Sequence, residues 1–139
     1  MRAPAKSGFR FTLDLATGVP AYRQIIDQVS VGIASGVLSA GCQLPTVRQL
    51  AVDLSINPNT VVRAYRELEI RGIIETQQGT GTFISKQKPK RDDAQRRKRL
   101  EQISSDFVAR AGREGYTLAD ILEQLNDLAT QGTQKGKQQ

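Results

Sequence analysis

Asn59, Arg63 and Arg66 lie four and three residues apart in the segment SINPNTVVRAYRELEIRG, residues 55–72, so on a helix they fall on one stripe. Their chemistry is that of recognition, not of bond making. An arginine fork matches guanine O6 and N7, and an asparagine amide matches adenine N6 and N7, patterns displayed in the major groove of duplex DNA. Arg66 and the neighbouring Thr60 suit phosphate oxygens, which position a protein without specifying sequence. Arg66 has an alternative as an ordinary surface cation paired with a carboxylate. The stripe faces away from Val61, Ala64, Tyr65 and Leu68, which at 100° per residue share an apolar inner face with Glu69 at its margin.

The chain of 139 residues contains no histidine and one cysteine, Cys42. It therefore lacks the commonest general base and metal ligand, and it cannot form an internal disulfide. Cys42 sits in the turn SAGCQLPT with no CxxC partner and reads as filler. No nucleophile–base pair and no metal cluster is visible, so neither a catalytic site nor a cofactor is expected. Tyr22, Tyr65 and Phe83 fall on core positions by periodicity, and the outer face lacks exposed aromatics to stack unpaired RNA bases. There is no run of about 18 apolar residues and no charged-then-apolar leader, so a soluble, cytoplasmic protein without membrane contact is expected.

The net charge of +6 is unevenly distributed. Residues 1–85 hold eight Lys/Arg against six Asp/Glu, or +2; residues 86–99 hold eight against two, or +6; residues 100–139 hold four against six, or −2. The basic stretch KQKPKRDDAQRRKR can steer a polyanion, and it equally suits a solubilising linker that runs into a charged helix start.

The elements that must carry the stripe follow from the pattern. Phe9, Phe11, Leu13 and Leu15 alternate with polar residues and predict a short edge strand. Tyr22, Ile25, Ile26, Val29 and Ile33 recur at helical spacing over about residues 21–35, with Gly36 placed to stop the helix. Thr46 and Gln49 have capping-box spacing before a second helix that buries Val47, Leu50, Ala51 and Leu54. Only Ser55, Ile56 and Asn57 separate it from the third, so the two cross steeply with Ile56 in the corner, as in a helix-turn-helix. Asn57 as N-cap and Pro58 at the first helical position set the start of the third helix, which should end near Gly72. Two short strands follow, Ile73 to Gln77 and Thr82 to Ile84, joined by a turn that Gly79 and Gly81 allow to be tight.

The expected fold is mainly α with a small β-hairpin: a winged helix-turn-helix domain over residues 9–85, followed by a two-helix tail. Residues 86–99 form a basic linker and helix start. Over residues 100–130, Leu100, Ile103 and Phe107, with Val108 close by, make one apolar stripe, and Leu118, Ile121, Leu122, Leu125 and Leu128 make a second behind a Thr117/Asp120 capping box. Two short helices cannot bury both stripes in each other and form a self-sufficient core, so pairing with the tail of a second chain is expected. Residues 131–139 are polar and glycine-containing and are expected to be disordered.

From Gly36 to Phe83 the chain reads GxLxxGxxLPTxRxLAxxLxxNPNTVxRAYxxLExxGxxxxxxGxGTF, preceded by PAYRQI, about 65 of the 139 residues in all. This run resembles the DNA-binding half of GntR-family bacterial transcription regulators. The short two-helix tail is similar to that of the YtrA subfamily; the neighbouring branch carries an aminotransferase-like domain that this length cannot contain. The resemblance implies a homodimer on a two-fold symmetric DNA operator, usually as a repressor of a neighbouring operon, often one for an ATP-binding-cassette transporter. It also places Arg48 against DNA from the second helix, Asn57, Asn59 and Thr60 at the start of the recognition helix, and Gly79 at the wing tip with Gly81 completing the GxGT turn. The wing threonines Thr80 and Thr82 suit phosphates. Many members have arginines where this chain has Pro58 and Val62, so their base-reading scheme does not transfer and Arg63 becomes the long donor to expect at base edges. Asn57 and Pro58 read mainly as a cap that touches no base.

A small-molecule effector would have to lie between the tail helices or across the dimer, and no motif names one. The rival reading is a winged-helix protein-interaction module without sequence-specific DNA binding, whose basic stretch engages an acidic protein or a membrane. Under the DNA-binding reading, neutralising Arg96, Arg97 and Arg99 should reduce the slope of log affinity against log salt while leaving sequence preference unchanged, as measured by titration at several salt concentrations.

Overall fold

Ile25, Val29, Val61, Ala64 and Leu68, all without exposed surface, join two helices, α1 (Ala21–Ser35) and α3 (Pro58–Ile70). The computed structural model describes residues 9–86 and 92–131, together with the backbone of 132–137. Around the α1–α3 pair the chain adds β1 (Gln43–Leu44), α2 (Val47–Leu54), β2 (Ile74–Gln77) and β3 (Gly81–Ile84). The strands form an antiparallel sheet in the order β1-β3-β2, with Leu44 opposite Thr82 and Ile74 opposite Ile84. Leu44, Leu50, Ile74 and Ile84 bring the sheet and α2 into the same core. Gly32 of α1 is buried under Leu38 and Phe9, where a Cβ would stand 2.8 Å from the first and 3.0 Å from the second.

The helix-turn-helix and its wing follow the sequence pattern closely. Asn57 caps α3, Pro58 is its first residue, and Gly36 ends α1 in the left-handed region. Ile56 packs against the core from the corner between α2 and α3. Of the expected Thr46/Gln49 box only half forms: Thr46 Oγ1 accepts from the Gln49 amide at 3.1 Å, while the Gln49 side chain donates to Asp53 at 2.7 Å. The charge-assisted bond that the Gln49 amide donates to a carboxylate one turn on is stronger than the neutral bond its oxygen would accept from the Thr46 amide.

The expected strand over Phe9 to Leu15 is not present. The segment is extended, but its backbone is bound by side chains of α1: Gln28 accepts from Thr12 N at 2.9 Å and donates to Thr12 O at 2.8 Å. Gln24 repeats this at Asp14, accepting at 2.9 Å and donating at 2.9 Å. Two carboxamides one helical turn apart thus substitute for a neighbouring strand, each supplying an acceptor and a donor. Asp14 then caps a single 3-10 turn, Leu15–Thr17, which turns Leu15 into solvent. Phe9 and Phe11 do pack on the core, edge to face at 4.9 Å between centroids. β1, in contrast, is a strand of two residues and too short to show any period.

A second compact unit holds α4 (Asp93–Arg113) and α5 (Leu118–Lys137) as far as Gln131. α4 begins well before Leu100, because Asp92 caps it by accepting from Ala94 N at 3.0 Å, so Arg96, Arg97, Lys98 and Arg99 are helical and exposed. Residues 131–137, expected to be disordered, continue α5. They contain no proline, and each glycine costs a helix only about 1 kcal/mol. Linker residues 87–91 and the last two residues lie outside the described chain.

Tyr65, on the inner face of α3, donates its hydroxyl to the Pro45 carbonyl at 2.7 Å, tying α3 to the segment that leads into α2. Burial of the ring holds the phenol well above its ordinary value of 10.0. A raised folded value means that its contribution is complete below the unfolded value and is lost as pH rises toward the folded one. Tyr65→Phe should cost about 1–2 kcal/mol at neutral pH in denaturant melts, because the carbonyl loses its partner. From about pH 10 upward the wild type should progressively lose stability that the phenylalanine variant keeps.

Candidate nucleic-acid interface

The α2–α3 turn sets where α3 begins. Ser55 closes α2 with φ of 56°, the one described non-glycine residue in the left-handed region. Its amide donates to the last carbonyls of α2, and the Ile56 amide returns to Ala51 O at 3.0 Å. Asn57 Oδ1 accepts from Asn59 N at 2.8 Å and the Asn57 carbonyl accepts from Thr60 N at 3.0 Å. The carboxamide oxygen of Asn57 is thereby committed to the cap.

Burial fixes the rotation of α3. Val61, Ala64, Tyr65 and Leu68 are buried, whereas Asn59, Arg63 and Arg66 are exposed, with Thr60 and Val62 half-buried at the two margins. Asn59 has no side-chain hydrogen bond among the described residues, and neither Arg48 nor Arg66 has a carboxylate within ion-pair distance there. Glu67, one turn after Arg63 and one turn before Arg71, pairs with Arg71 at 4.0 Å. Arg63 instead lays its guanidinium on the ring of Tyr22, 3.8 Å from the centroid. Periodicity assigned Tyr22 wholly to the core; it is half-buried, packed on the core and covered by a cation on its other side. A ring–guanidinium contact between helices far apart in sequence leaves no trace in spacing.

Arg48 is exposed in the first turn of α2, and both α2 and β2 pack against α3. In the wing Thr80 N donates to Gln77 O at 2.9 Å, and Gly79 lies at the turn with φ of 79°. Gly79 and Thr80 are exposed; Gly81 and Thr82 are half-buried, Thr82 on the central strand opposite Leu44 and Thr76. Gly81 has φ of 141°, and a Cβ there would stand 2.5 Å from Gln43 Nε2, the group that donates to Thr80 O at 3.3 Å. A side chain at position 81 would therefore displace the Gln43 amide from Thr80 O and be strained by the backbone angle itself.

In the second unit Thr117 and Asp120 form the expected reciprocal cap, Asp120 N donating to Thr117 Oγ1 at 3.1 Å and Thr117 N to Asp120 Oδ2 at 2.9 Å. The backbone bond from Thr117, helped by its side chain, lowers the Asp120 carboxyl below its ordinary value. Ile121 is buried and Leu128 half-buried, whereas Leu100, Ile103, Phe107, Leu118, Leu122 and Leu125 are exposed, Leu100 at 63%.

The sequence profile of bacterial regulatory proteins of the gntR family matches residues 21–84, from the start of α1 to the end of β3. The HTH-type transcriptional regulator Rv1152 of Mycobacterium tuberculosis is 40% identical over 113 residues, which span 81% of this chain and 88% of that one. The chain belongs to the gntR family. The HTH-type transcriptional repressor YtrA of Bacillus subtilis is 48% identical over 73 residues, 52% of this chain and 56% of that one. A solved YtrA from Sulfolobus acidocaldarius, a GntR-family transcription factor, superposes with a TM-score of 0.55 at 32% identity, covering 71% of this chain and 97% of that one. This gntR-family chain is of the YtrA type, and its first unit is the family's winged helix-turn-helix. Among the described residues no helix is long and apolar enough to cross a membrane.

Proposed function

We propose that this gntR-family regulator is a cytoplasmic, non-enzymatic repressor that binds a two-fold symmetric duplex operator as a homodimer. The observation that carries the reading is the exposed stripe Asn59–Arg63–Arg66 on α3, held outward by a buried opposite face and free of carboxylate partners among the described residues. A basic surface stripe without carboxylate partners is what a phosphate-flanked groove requires. In this reading Arg63 and Asn59 meet base edges. Arg48, Thr60, Arg66, Thr80 and Thr82 meet phosphates, and Gly79 and Gly81 let the wing backbone approach. Asn57 contributes by capping, since its side-chain oxygen is engaged by Asn59 N.

The dimer reading rests on the second unit. Among the described residues, seven large apolar side chains of α4 and α5 remain exposed within one chain, Val108 among them. Their burial against the same helices of a second copy would remove that surface from water at about 25 cal/mol per Å². Two reading helices related by a two-fold axis would enter successive major grooves about 34 Å apart, or a multiple of that distance.

Arg63→Ala should weaken binding to the selected operator by about 5- to 150-fold, the worth of one bidentate contact, with a much smaller change on random duplex. Equal losses on both DNAs would remove base reading by Arg63. Truncation after Ser85 should give a monomer in sedimentation, and a dimer would remove the tail from the assembly.

A further inference from the structure

We infer that Tyr22 is a positioning residue for base reading: its ring holds the Arg63 guanidinium ready, by one face, to offer its edge donors to a guanine. The inference rests on the reading of Arg63 given above. The contact is 3.8 Å from the guanidinium carbon to the ring centroid, well inside cation–π range. Stacking uses the flat face of the guanidinium, whereas recognition of guanine uses the N–H groups on its edge, so the two contacts do not compete. Among the described residues no carboxylate lies within ion-pair distance of Arg63, and the acid best placed to intercept it, Glu67, is paired with Arg71.

The platform itself is rigid. Tyr22 is the second residue of α1 and packs on the core, and α1 is fixed against α3 through Ile25 and Val29. A free arginine loses much of its rotamer freedom when it inserts into a groove, and an arginine already stacked has lost part of it beforehand. The Tyr22 hydroxyl has no hydrogen bond among the described residues, so the ring alone performs the role. A merely stabilising contact would change affinity for every DNA alike; a positioning contact changes the ratio of operator to random binding.

The test measures that ratio for the full-length chain, with the operator recovered by selection and a random duplex of equal length. Tyr22→Leu should lower it about two- to five-fold, the range of an exposed cation–π contact, and Tyr22→Phe should leave it unchanged. In an Arg63→Ala background, Tyr22→Leu should cause no further fall. If Tyr22→Leu does not fold as judged by circular dichroism, Tyr22→Met removes the ring with an unbranched side chain and is read in the same way. An unchanged ratio in the ring-less variant, with Arg63→Ala still lowering it, overturns the role of Tyr22 and leaves base reading by Arg63 standing. An unchanged ratio in Arg63→Ala itself overturns both.

Discussion

Everything at the proposed interface depends on how α3 is rotated about its own axis, and that rotation is fixed by one apolar contact. Val61, Ala64 and Leu68 are fully buried against α1 and its neighbours, and Tyr65 beside them is anchored through its hydroxyl to Pro45. Removing a valine or leucine of this kind from water is worth about 1.5–3 kcal/mol, so a turn of 100° that brought the polar stripe inward would forfeit several such terms and bury charged groups as well. The polar face of α3 is therefore placed by its apolar face. Axial position is set separately, by the Ser55 turn and the Asn57–Pro58 start, which leave no slack between α2 and α3.

Residues 1–85 are nearly balanced in charge, with the excess of basic residues concentrated just after them. Attraction to a polyanion would then come mainly from the exposed start of α4, while the α3 stripe contributes few charges in a fixed geometry. That division separates steering from reading: a basic helix start acts over about a Debye length, whereas an arginine fork acts only at hydrogen-bond distance. The stacking of Arg63 on Tyr22 belongs to the second kind, since it orients a donor and adds no charge.

The helices were legible in the sequence because their determinants are local. The apolar period of α1 and α3, the Asn57 cap, the glycine stop at Gly36 and the Thr117/Asp120 box each lie within a few residues of what they specify. What was not legible depends on partners distant in sequence. The alternating Phe9–Leu15 pattern has the period of a strand, yet glutamines of α1 satisfy its backbone. β1 exists only because β3 lies beside it. In the same way Tyr22 has core periodicity and becomes a platform only when α3 brings Arg63 over it. The stripe itself was legible, because an exposed face is defined by the buried one opposite.

The most direct test of the central claim is selection of bound sequences from random duplex DNA by the full-length protein. Sequence-specific reading by paired α3 helices predicts an enriched, two-fold symmetric consensus with half-sites about one helical turn, or a multiple of it, apart and a guanine within each. Recovery of sequences with no enrichment over the starting pool, despite salt-sensitive binding, would contradict it.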